Sequence, residues 1–207
     1  MADKMMEKSC IEFVDALAAK VSVPGGGGAA AYAGALGVAL GNMAANFTIG
    51  KKKYAKYEDD IRRIIAEGDE IRAGLIDLVS KDAEAFEPLS RAYAIPKEDP
   101  THGEALEAAL TSALTAPLEM MRQIARAIEL LEELSVKGSR LLISDVACGA
   151  VLSAAAMRAA SVNVFVNTKY LLNRELAAQV ETEADSLLAY VSRAEAVADQ
   201  IIAGIRE

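Results

Sequence analysis

Apolar residues recur at steps of three and four along most of the chain, which is the spacing of one face of an α-helix. The clearest run lies within residues 54–89 and includes Ile61, Ile64, Ile65, Leu75, Leu78 and Val79. The same spacing, interrupted by glycine and proline, predicts helices over residues 9–21, 27–48, 54–89, 104–135, 139–167 and 170–205. The pattern therefore predicts an all-α protein, an elongated bundle of six or seven helices.

Residues that begin and end helices lie at the ends of these runs. Ser9, followed three residues later by Glu12, is the signature of a capping box at the start of the first helix. Pro117 interrupts the run over 104–135, so we expect that helix to kink or divide there, and Gly138 ends it. Residues 94–103 contain two prolines and are predicted to form the main loop.

Two of the predicted helices carry almost no charge. Residues 21–50 contain no Asp, Glu, Lys or Arg, so a membrane span has to be considered. The segment is mainly Gly and Ala, which gain too little from lipid to offset the amides of Asn42 and Asn46. We therefore expect no membrane span but two buried central helices, ringed by amphipathic ones. Their small residues allow close backbone approach, within one subunit or between the subunits of a homodimer.

Composition narrows the class of protein further. A chain of 207 residues is the size of one domain, and we expect a single helical domain over residues 1–207. Apolar residues make up 53% of the chain but aromatic ones only 5%, which disfavours an all-β fold. The net charge of −8 leaves no basic face for a general nucleic-acid binder.

Cysteine and histidine content excludes several kinds of site. Cys10 and Cys148 lie far apart and suggest no disulfide framework, and we expect no secretory signal, so the chain fits the reducing cytoplasm. His102 is the single histidine, which excludes a zinc site with several imidazoles and a di-iron bundle. His102 lies between Pro100 and Gly103, so we expect it in a loop or at a helix start, and we favour a solvated loop residue.

A glycine-rich turn precedes the first uncharged helix. We call it the glycine turn, and it consists of Pro24, Gly25, Gly26, Gly27 and Gly28. Free N–H groups at a helix start can bind an anion or the polar edge of a ring, so the turn is a candidate ligand contact. The alternative is a tight turn that lets two helices meet. A P-loop is excluded because no Gly-Lys-Ser/Thr follows at the required spacing.

Three consecutive lysines follow the same helix. Lys51, Lys52 and Lys53, which we call the lysine cluster, form the only dense positive group in an acidic chain. They can pair with a multiply anionic substrate. The alternative is a solvated turn with cations favourably placed after a helix C-terminus.

Two aspartates lie where acids are rare. Asp82 shares the apolar face of its helix with Leu78 and Phe86, so it is either a proton-transfer group with a raised pKa or one half of a salt bridge. Asp145 lies within an otherwise apolar helix, on the face of Asn163 and, one turn on, Asn167. Together with Asn42 and Asn46 on the other uncharged helix, these residues predict a polar pocket between the two helices, or a set of buried polar groups that satisfy one another.

The ordered set of motifs resembles the cyclodeaminase/cyclohydrolase family of folate enzymes. The motifs are the glycine turn with the alanines after it, Asn46 to Tyr54, Asp82-Ala83-Glu84-Ala85-Phe86, Ser144-Asp145, Asn163-Val164 and Asn167. The likeness runs over essentially the whole chain, with one departure at Gly28, where the family often has Ser. It implies an all-α fold, a dimer or dimer-based assembly and a tetrahydrofolate substrate, and it implies that Asp82 matches the acid regarded as catalytic in the cyclodeaminase.

The resemblance leads to a hypothesis for each candidate residue. Asp82 is the general acid/base and Asp145 a second acid; neither a metal nor a redox cofactor is required. Orienting amides and tail-binding cations complete the expected substrate site. The amides that orient the pterin are Asn42, Asn46, Asn163 and Asn167. The lysine cluster binds the glutamate tail, which has several glutamates in polyglutamylated folates, and the glycine turn shapes the mouth of the site.

Three functions remain open at this point. The first is methenyltetrahydrofolate cyclohydrolase, favoured slightly because 207 residues leave no room for a fused formiminotransferase. The second is formiminotetrahydrofolate cyclodeaminase, with a separate transferase supplying its substrate. The third, of another class, is a non-catalytic helical bundle that binds a small ligand or scaffolds a partner, for which a well-packed interior at Asp82 and Asp145 is expected.

Overall fold

Helix boundaries in the computed structural model, which describes residues 5–207, largely follow the capping residues of the sequence. These residues form seven α-helices: α1 (Cys10–Ala18), α2 (Gly26–Asn46), α3 (Glu58–Ala94), α4 (His102–Ala113), α5 (Thr115–Lys137), α6 (Ile143–Thr168) and α7 (Arg174–Arg206). Short 3-10 segments occupy Met5–Glu7, Lys52–Tyr57 and Arg140–Leu142. No strand occurs in the described part of the chain, so the all-α prediction is confirmed. Residues 1–4 lie outside the described part of the chain. They belong to the N-terminal segment on which the expected absence of a secretory signal depends.

The predicted helix signals are present in the structure. The Ser9 hydroxyl accepts from the Glu12 N–H at 3.2 Å while the Ser9 N–H donates to the Glu12 carboxylate at 2.8 Å, which is the predicted capping box. The run over 104–135 is divided, as expected, although the division falls at Leu114 and Pro117 lies in the first turn of α5, where its missing N–H has no helical partner to lose. Gly138 caps the end of α5.

Two local expectations are wrong. Helix α3 continues through Pro88 to Ala94, so it is longer than the apolar spacing indicates and reaches about 55 Å. His102 lies at a helix start, one of its two expected positions, and is not the solvated loop residue that the sequence favoured. It opens α4, is half-buried, and holds its Nδ1 atom 2.9 Å from the Ile95 carbonyl oxygen.

The helices pack in a layer with α5 across one side. Helix α2 lies between α3 and α6, α6 lies between α2 and α7, and α5 contacts all four of these helices. One continuous apolar core joins them, and its largest fully buried side chains include Ile64, Leu75, Met121, Ile124 and Met157. The two uncharged helices are therefore central, as the sequence predicts.

Small residues let α2 and α6 approach closely. A methyl group added at Gly37 would lie 2.6 Å from the Ser153 hydroxyl oxygen and 2.9 Å from the Gly149 carbonyl oxygen, so only glycine fits this crossing. The helices run antiparallel, because Gly26 faces Asn163 near one end of the pair and Ser139 bonds Thr48 at the other. Opposite ends of each helix thus belong to different regions of the surface.

Burial of the two uncharged helices is incomplete. Both are long and apolar enough to cross a membrane by length and composition. Over an apolar stretch of 18 residues in each, 61% of α2 and 50% of the segment Arg140–Thr168 are buried in the bundle. Core helices of water-soluble proteins show the same combination, so these helices do not indicate a membrane protein. The two predicted central helices are therefore buried on most sides, and each keeps one exposed side.

Candidate functional site

A cavity of about 270 Å³ lies where the start of α2 meets α3 and the end of α6. We call it the Asp82 cavity. The turn before α2, the last part of α3, the α4–α5 junction and the last turns of α6 form its wall. Its lining residues are Ser22, Val23, Gly25, Gly26, Gly27, Asp82, Ala85, Phe86, Leu89, Tyr93, Ala113, Pro117, Asn163, Val166 and Asn167. Asp82 is the only charged side chain among them.

The glycine turn and Asp82 are built against each other. Gly25 caps the start of α2, and Gly26, Gly27 and Gly28 form its first turn. A methyl group added at Gly27 would lie 2.5 Å from the Asp82 carboxyl carbon, so the absence of a side chain there leaves the space that the carboxylate occupies. The backbone N–H of Gly28 favours the charged form of this carboxylate. Pro24 and Gly28 are buried behind the cavity wall and do not line it.

The environment of Asp82 opposes ionisation. The side chain is half-buried, and no Lys or Arg of residues 5–207 forms an ion pair with it, so the salt-bridge interpretation finds no partner. Burial raises the pKa of the Asp82 carboxyl, and the backbone N–H of Gly28 partly offsets that rise. A carboxylate with a raised pKa in a cavity is suited to accepting and returning a proton near neutral pH.

Two amides on α6 face Asp82 across the cavity. The Asn163 amide nitrogen donates to the Ala159 carbonyl at 2.8 Å, and that of Asn167 donates to the Asn163 carbonyl at 2.9 Å. Both nitrogens are therefore engaged by the helix. The two amide oxygens receive no hydrogen bond from residues 5–207, so they are the atoms that can accept from the N–H donors of a ligand.

Sequence reasoning missed an aromatic wall of the cavity. Phe86, Leu89 and Tyr93 follow Asp82 along one face of α3 at steps of four, three and four. Phe86 is 37% exposed and Tyr93 51% exposed, so both rings have free surface toward the cavity. The spacing after Asp82 was a usable signal. The wall was missed because the helix was expected to end at residue 89, which left Tyr93 outside it.

Asn42 and Asn46 lie away from this cavity, about 24–30 Å along α2 from Gly26. The Asn42 amide nitrogen donates to the Asp69 carboxylate at 2.7 Å, on α3. The Asn46 amide nitrogen donates to the Asn42 carbonyl at 2.9 Å. The predicted polar pocket therefore does not bring Asn42 and Asn46 together with the α6 amides: Asn42 turns toward α3, and small residues fill the α2–α6 contact at Gly37.

The lysine cluster lies at the same distant end of α2. The Lys51 ammonium donates to the Ser139 hydroxyl at 3.1 Å, and the Arg140 N–H donates to the Tyr54 hydroxyl at 3.0 Å. This bond from Arg140, aided by the nearby lysines, lowers the pKa of Tyr54. Within residues 5–207 no carboxylate forms an ion pair with the cluster. Its positive charge is thus available, but about 30 Å from Asp82 in the same chain.

Asp145 also belongs to that distant end. It lies in the first turn of α6, half-buried, where the helix N-terminus favours a carboxylate. It is 18 residues from Asn163, about 27 Å along the helix. Asp145 does not line the Asp82 cavity, so one protomer does not bring the two predicted acids together. No group of three or more His, Cys, Asp or Glu side chains that could hold a metal ion occurs among the described residues.

Comparison with known proteins identifies relatives of this chain. Residues 9–186 match the profile of the formiminotransferase-cyclodeaminase family. The chain is 38% identical over 181 residues to methenyltetrahydrofolate cyclohydrolase of Methylorubrum extorquens, covering 86% of this chain and 87% of that protein. It is 30% identical to formimidoyltransferase-cyclodeaminase of Sus scrofa, covering 89% of this chain but 35% of that longer protein.

The structure points to the same group of proteins. It superposes on the crystal structure of formiminotetrahydrofolate cyclodeaminase from Thermotoga maritima with a TM-score of 0.90 and 31% sequence identity. The match covers 98% of this chain and 99% of that one. Profile, sequence and fold agree over nearly the full length, and the chain therefore belongs to the formiminotransferase-cyclodeaminase family.

Proposed function

We propose that this protein is a methenyltetrahydrofolate cyclohydrolase, which opens 5,10-methenyltetrahydrofolate with water to give 10-formyltetrahydrofolate. The observation that carries the proposal is the unpaired, half-buried carboxylate of Asp82 in the wall of a cavity lined by aromatic rings and amide oxygens. The similarity to the Methylorubrum extorquens cyclohydrolase, which covers most of both chains, supports this choice of reaction.

The chemistry of the substrate suits this cavity. The one-carbon unit of methenyltetrahydrofolate is a cationic amidinium between N5 and N10, so a carboxylate beside it stabilises its charge. The exposed faces of Phe86 and Tyr93 stack on conjugated rings, and the amide oxygens of Asn163 and Asn167 accept from the N–H donors of the pterin.

Asp82 carries the proton through the reaction. As water adds to the amidinium carbon, the carboxylate accepts a proton from that water, and a neutral tetrahedral carbon with one hydroxyl forms. Asp82 then returns the proton to N5 as the C–N5 bond breaks, and loss of the hydroxyl proton leaves the 10-formyl group. Burial of Asp82 supports both steps because a raised pKa brings the acid and base forms closer in energy near neutral pH.

The proposed function also includes the oligomeric state and the cellular location of the enzyme. We propose one catalytic domain over residues 1–207, a cytoplasmic homodimer, and a folate substrate that can carry several glutamates. The absence of a packed interior at Asp82 disfavours the alternative of a non-catalytic scaffold, since the cavity there has about 270 Å³ of space.

Cyclodeaminase activity is the second candidate. The Thermotoga maritima protein with this fold is a formiminotetrahydrofolate cyclodeaminase, and the TM-score of 0.90 supports a shared site. In that reaction N10 attacks a 5-formimino carbon and ammonia leaves. The tetrahedral carbon then bears an amino group in place of the hydroxyl, so the same carboxylate serves either reaction.

Parallel assays on the wild-type protein separate the two activities. Loss of methenyltetrahydrofolate is followed by absorbance, and ammonia release from 5-formiminotetrahydrofolate is followed in the same buffer. We expect kcat/KM for methenyl hydrolysis to exceed that for ammonia release by at least tenfold. A larger value for ammonia release assigns the protein to the cyclodeaminases, and the absence of both activities refutes the proposed function.

A further inference from the structure

A mainly apolar surface runs along the side of α2 and α6 that α5 does not cover. We call it the open face. Helix α2 exposes Leu36 and Met43 on it, Phe47 is exposed just after α2 ends, and α6 exposes Val151 and Val166, among others. Helix α2 contains no charged residue, and Arg158 of α6 is drawn toward α7 by its ion pair with Glu195 at 3.4 Å.

The size of the open face matches that of a protein interface. Two adjacent helices of 21 and 26 residues give a surface about 35 Å long and about 20 Å wide, or about 700 Å². Stable complexes bury about 800 Å² on each partner. Contiguous exposed apolar patches of this size mark interaction sites.

The Asp82 cavity reaches the edge of this face and lacks a cation. Val166 belongs to both, since it lines the cavity and is 50% exposed on α6. A folate tail carries at least two carboxylates, yet Asp82 is the only charged residue in the cavity lining. The unpaired lysine cluster lies at the other end of the same open face, so each copy holds one half of a complete site at either end of α2.

We propose that two copies of this chain pack their open faces together with their α2 helices antiparallel, so that the lysine cluster of one protomer binds the folate tail at the Asp82 cavity of its partner. The inference rests on the proposed function, because it assigns the tail of that substrate. It names a second copy as the occupant of the open face, since this chain itself supplies the missing cations.

The register of α2 agrees with this arrangement. Leu36 is the midpoint of Gly26–Asn46, so a two-fold axis crossing the helix there sets the partner's Asn46 beside Gly26. Five residues further on, the partner's Lys51 falls level with Val21, which is next to Ser22 of the cavity lining. The same rotation carries the partner's Asp145 toward the Asn163 end of α6, which brings the second predicted acid to the cavity that it misses within one chain.

A two-fold axis parallel to the helices is the competing arrangement. It would also cover the open face, but it would place like ends together and leave the lysine cluster about 30 Å from either cavity. The two arrangements are distinguished by which protomer supplies the lysines.

A mixed dimer tests the proposal. One protomer carries Asp82→Asn, the other carries Lys51→Ala, Lys52→Ala and Lys53→Ala, and two affinity tags isolate the heterodimer. Its only site with Asp82 belongs to the triple-alanine protomer. We expect the triple-alanine homodimer to raise KM for a polyglutamylated substrate about tenfold or more, and the heterodimer to recover the wild-type KM with about half the wild-type kcat per dimer.

Other results would overturn this proposal, and they differ from the result that would refute the proposed function. A heterodimer with the raised KM places the lysines in their own protomer's site, and a wild-type KM in the triple-alanine homodimer removes them from tail binding. A Lys20→Ala variant, which removes an exposed cation close to Ser22 in the same chain, is expected to keep the wild-type KM. The proposed function fails separately if the Asp82→Asn homodimer is fully active.

A cross-link provides a second measurement that does not depend on activity. In a chain whose two cysteines are replaced by serine, we expect Leu36→Cys to form a disulfide-linked dimer under mild oxidation, because Leu36 meets its own copy at the axis. Phe47→Cys is the matched control and is expected to stay unlinked, about 33 Å from its copy. A monomer in solution, or cross-linking of Phe47→Cys alone, overturns the arrangement.

Discussion

Gly27 holds the Asp82 carboxylate at the cavity wall because it has no side chain. In the Gly27→Ala variant the new methyl carbon would lie 2.5 Å from the Asp82 carboxyl carbon, whereas ordinary contact begins near 3.4 Å. The carboxylate must therefore move by about 0.9 Å, and it can do so because it is the far end of a flexible side chain. A displacement of about 1 Å at a reacting group reduces catalysis by about 100-fold.

Stability changes little in the same variant. Alanine is favoured over glycine within a helix by up to about 1 kcal/mol, and moving the Asp82 side chain off its rotamer costs about as much. We expect kcat/KM for methenyltetrahydrofolate hydrolysis to fall by about 100-fold while the free energy of unfolding stays within about 1 kcal/mol of the wild type.

Gly28→Ala is the matched control for Gly27→Ala. Its new methyl group would make ordinary contact with Val79 at 3.5 Å and Pro24 at 3.7 Å, behind the cavity wall. We expect this variant to keep kcat/KM within about threefold of the wild type. Wild-type activity in Gly27→Ala, or equal losses in both variants, would refute the argument that Gly27 positions the carboxylate.

Three further predictions follow from the structure. Burial raises the pKa of Asp82 above its ordinary value of 3.8, so the charged form of Asp82 lowers the free energy of unfolding above the folded-state pKa. The Asp82→Asn variant should therefore unfold at a higher denaturant concentration than the wild type at pH 7. This difference should vanish below pH 3.8, where the Asp82 carboxyl is neutral in both the folded and the unfolded protein. Replacing either Phe86 or Tyr93 with leucine should raise KM by about 2- to 12-fold and leave unfolding unchanged, and an unchanged KM would remove the rings from substrate binding. Gly37→Ala should destabilise the bundle by about 2 kcal/mol in chemical denaturation, since its methyl group meets the Gly149 carbonyl, and wild-type stability would contradict the close α2–α6 crossing.

Periodicity and capping residues predicted the fold well because they act locally. The Ser9 capping box, the end of α5 at Gly138 and the divided run over 104–135 each depend on neighbours within a few residues. The errors arose where tertiary packing overrides local preference. Pro88 is tolerated within α3, and the ring of His102 is fixed to the Ile95 carbonyl.

The candidate site was predictable only where its residues share one helix face. Asp82 points toward the glycine turn because its step from Leu78 keeps it on the inner side of α3. Periodicity gives a face but not a neighbour, so it could not show that Asn42 turns to α3 rather than to α6. Nor could it show that an antiparallel α2–α6 pair places Asp145 at the end remote from Asp82.

The most direct test of the central claim is the behaviour of Asp82→Asn with methenyltetrahydrofolate. Binding is measured by quenching of ligand fluorescence, which is free of tryptophan background because the chain has none. Single-turnover hydrolysis is measured on the same sample. We expect the Kd to stay within about threefold of the wild type and the rate of ring opening to fall by about 100-fold or more. Hydrolysis at the wild-type rate would contradict the assignment of proton transfer to Asp82.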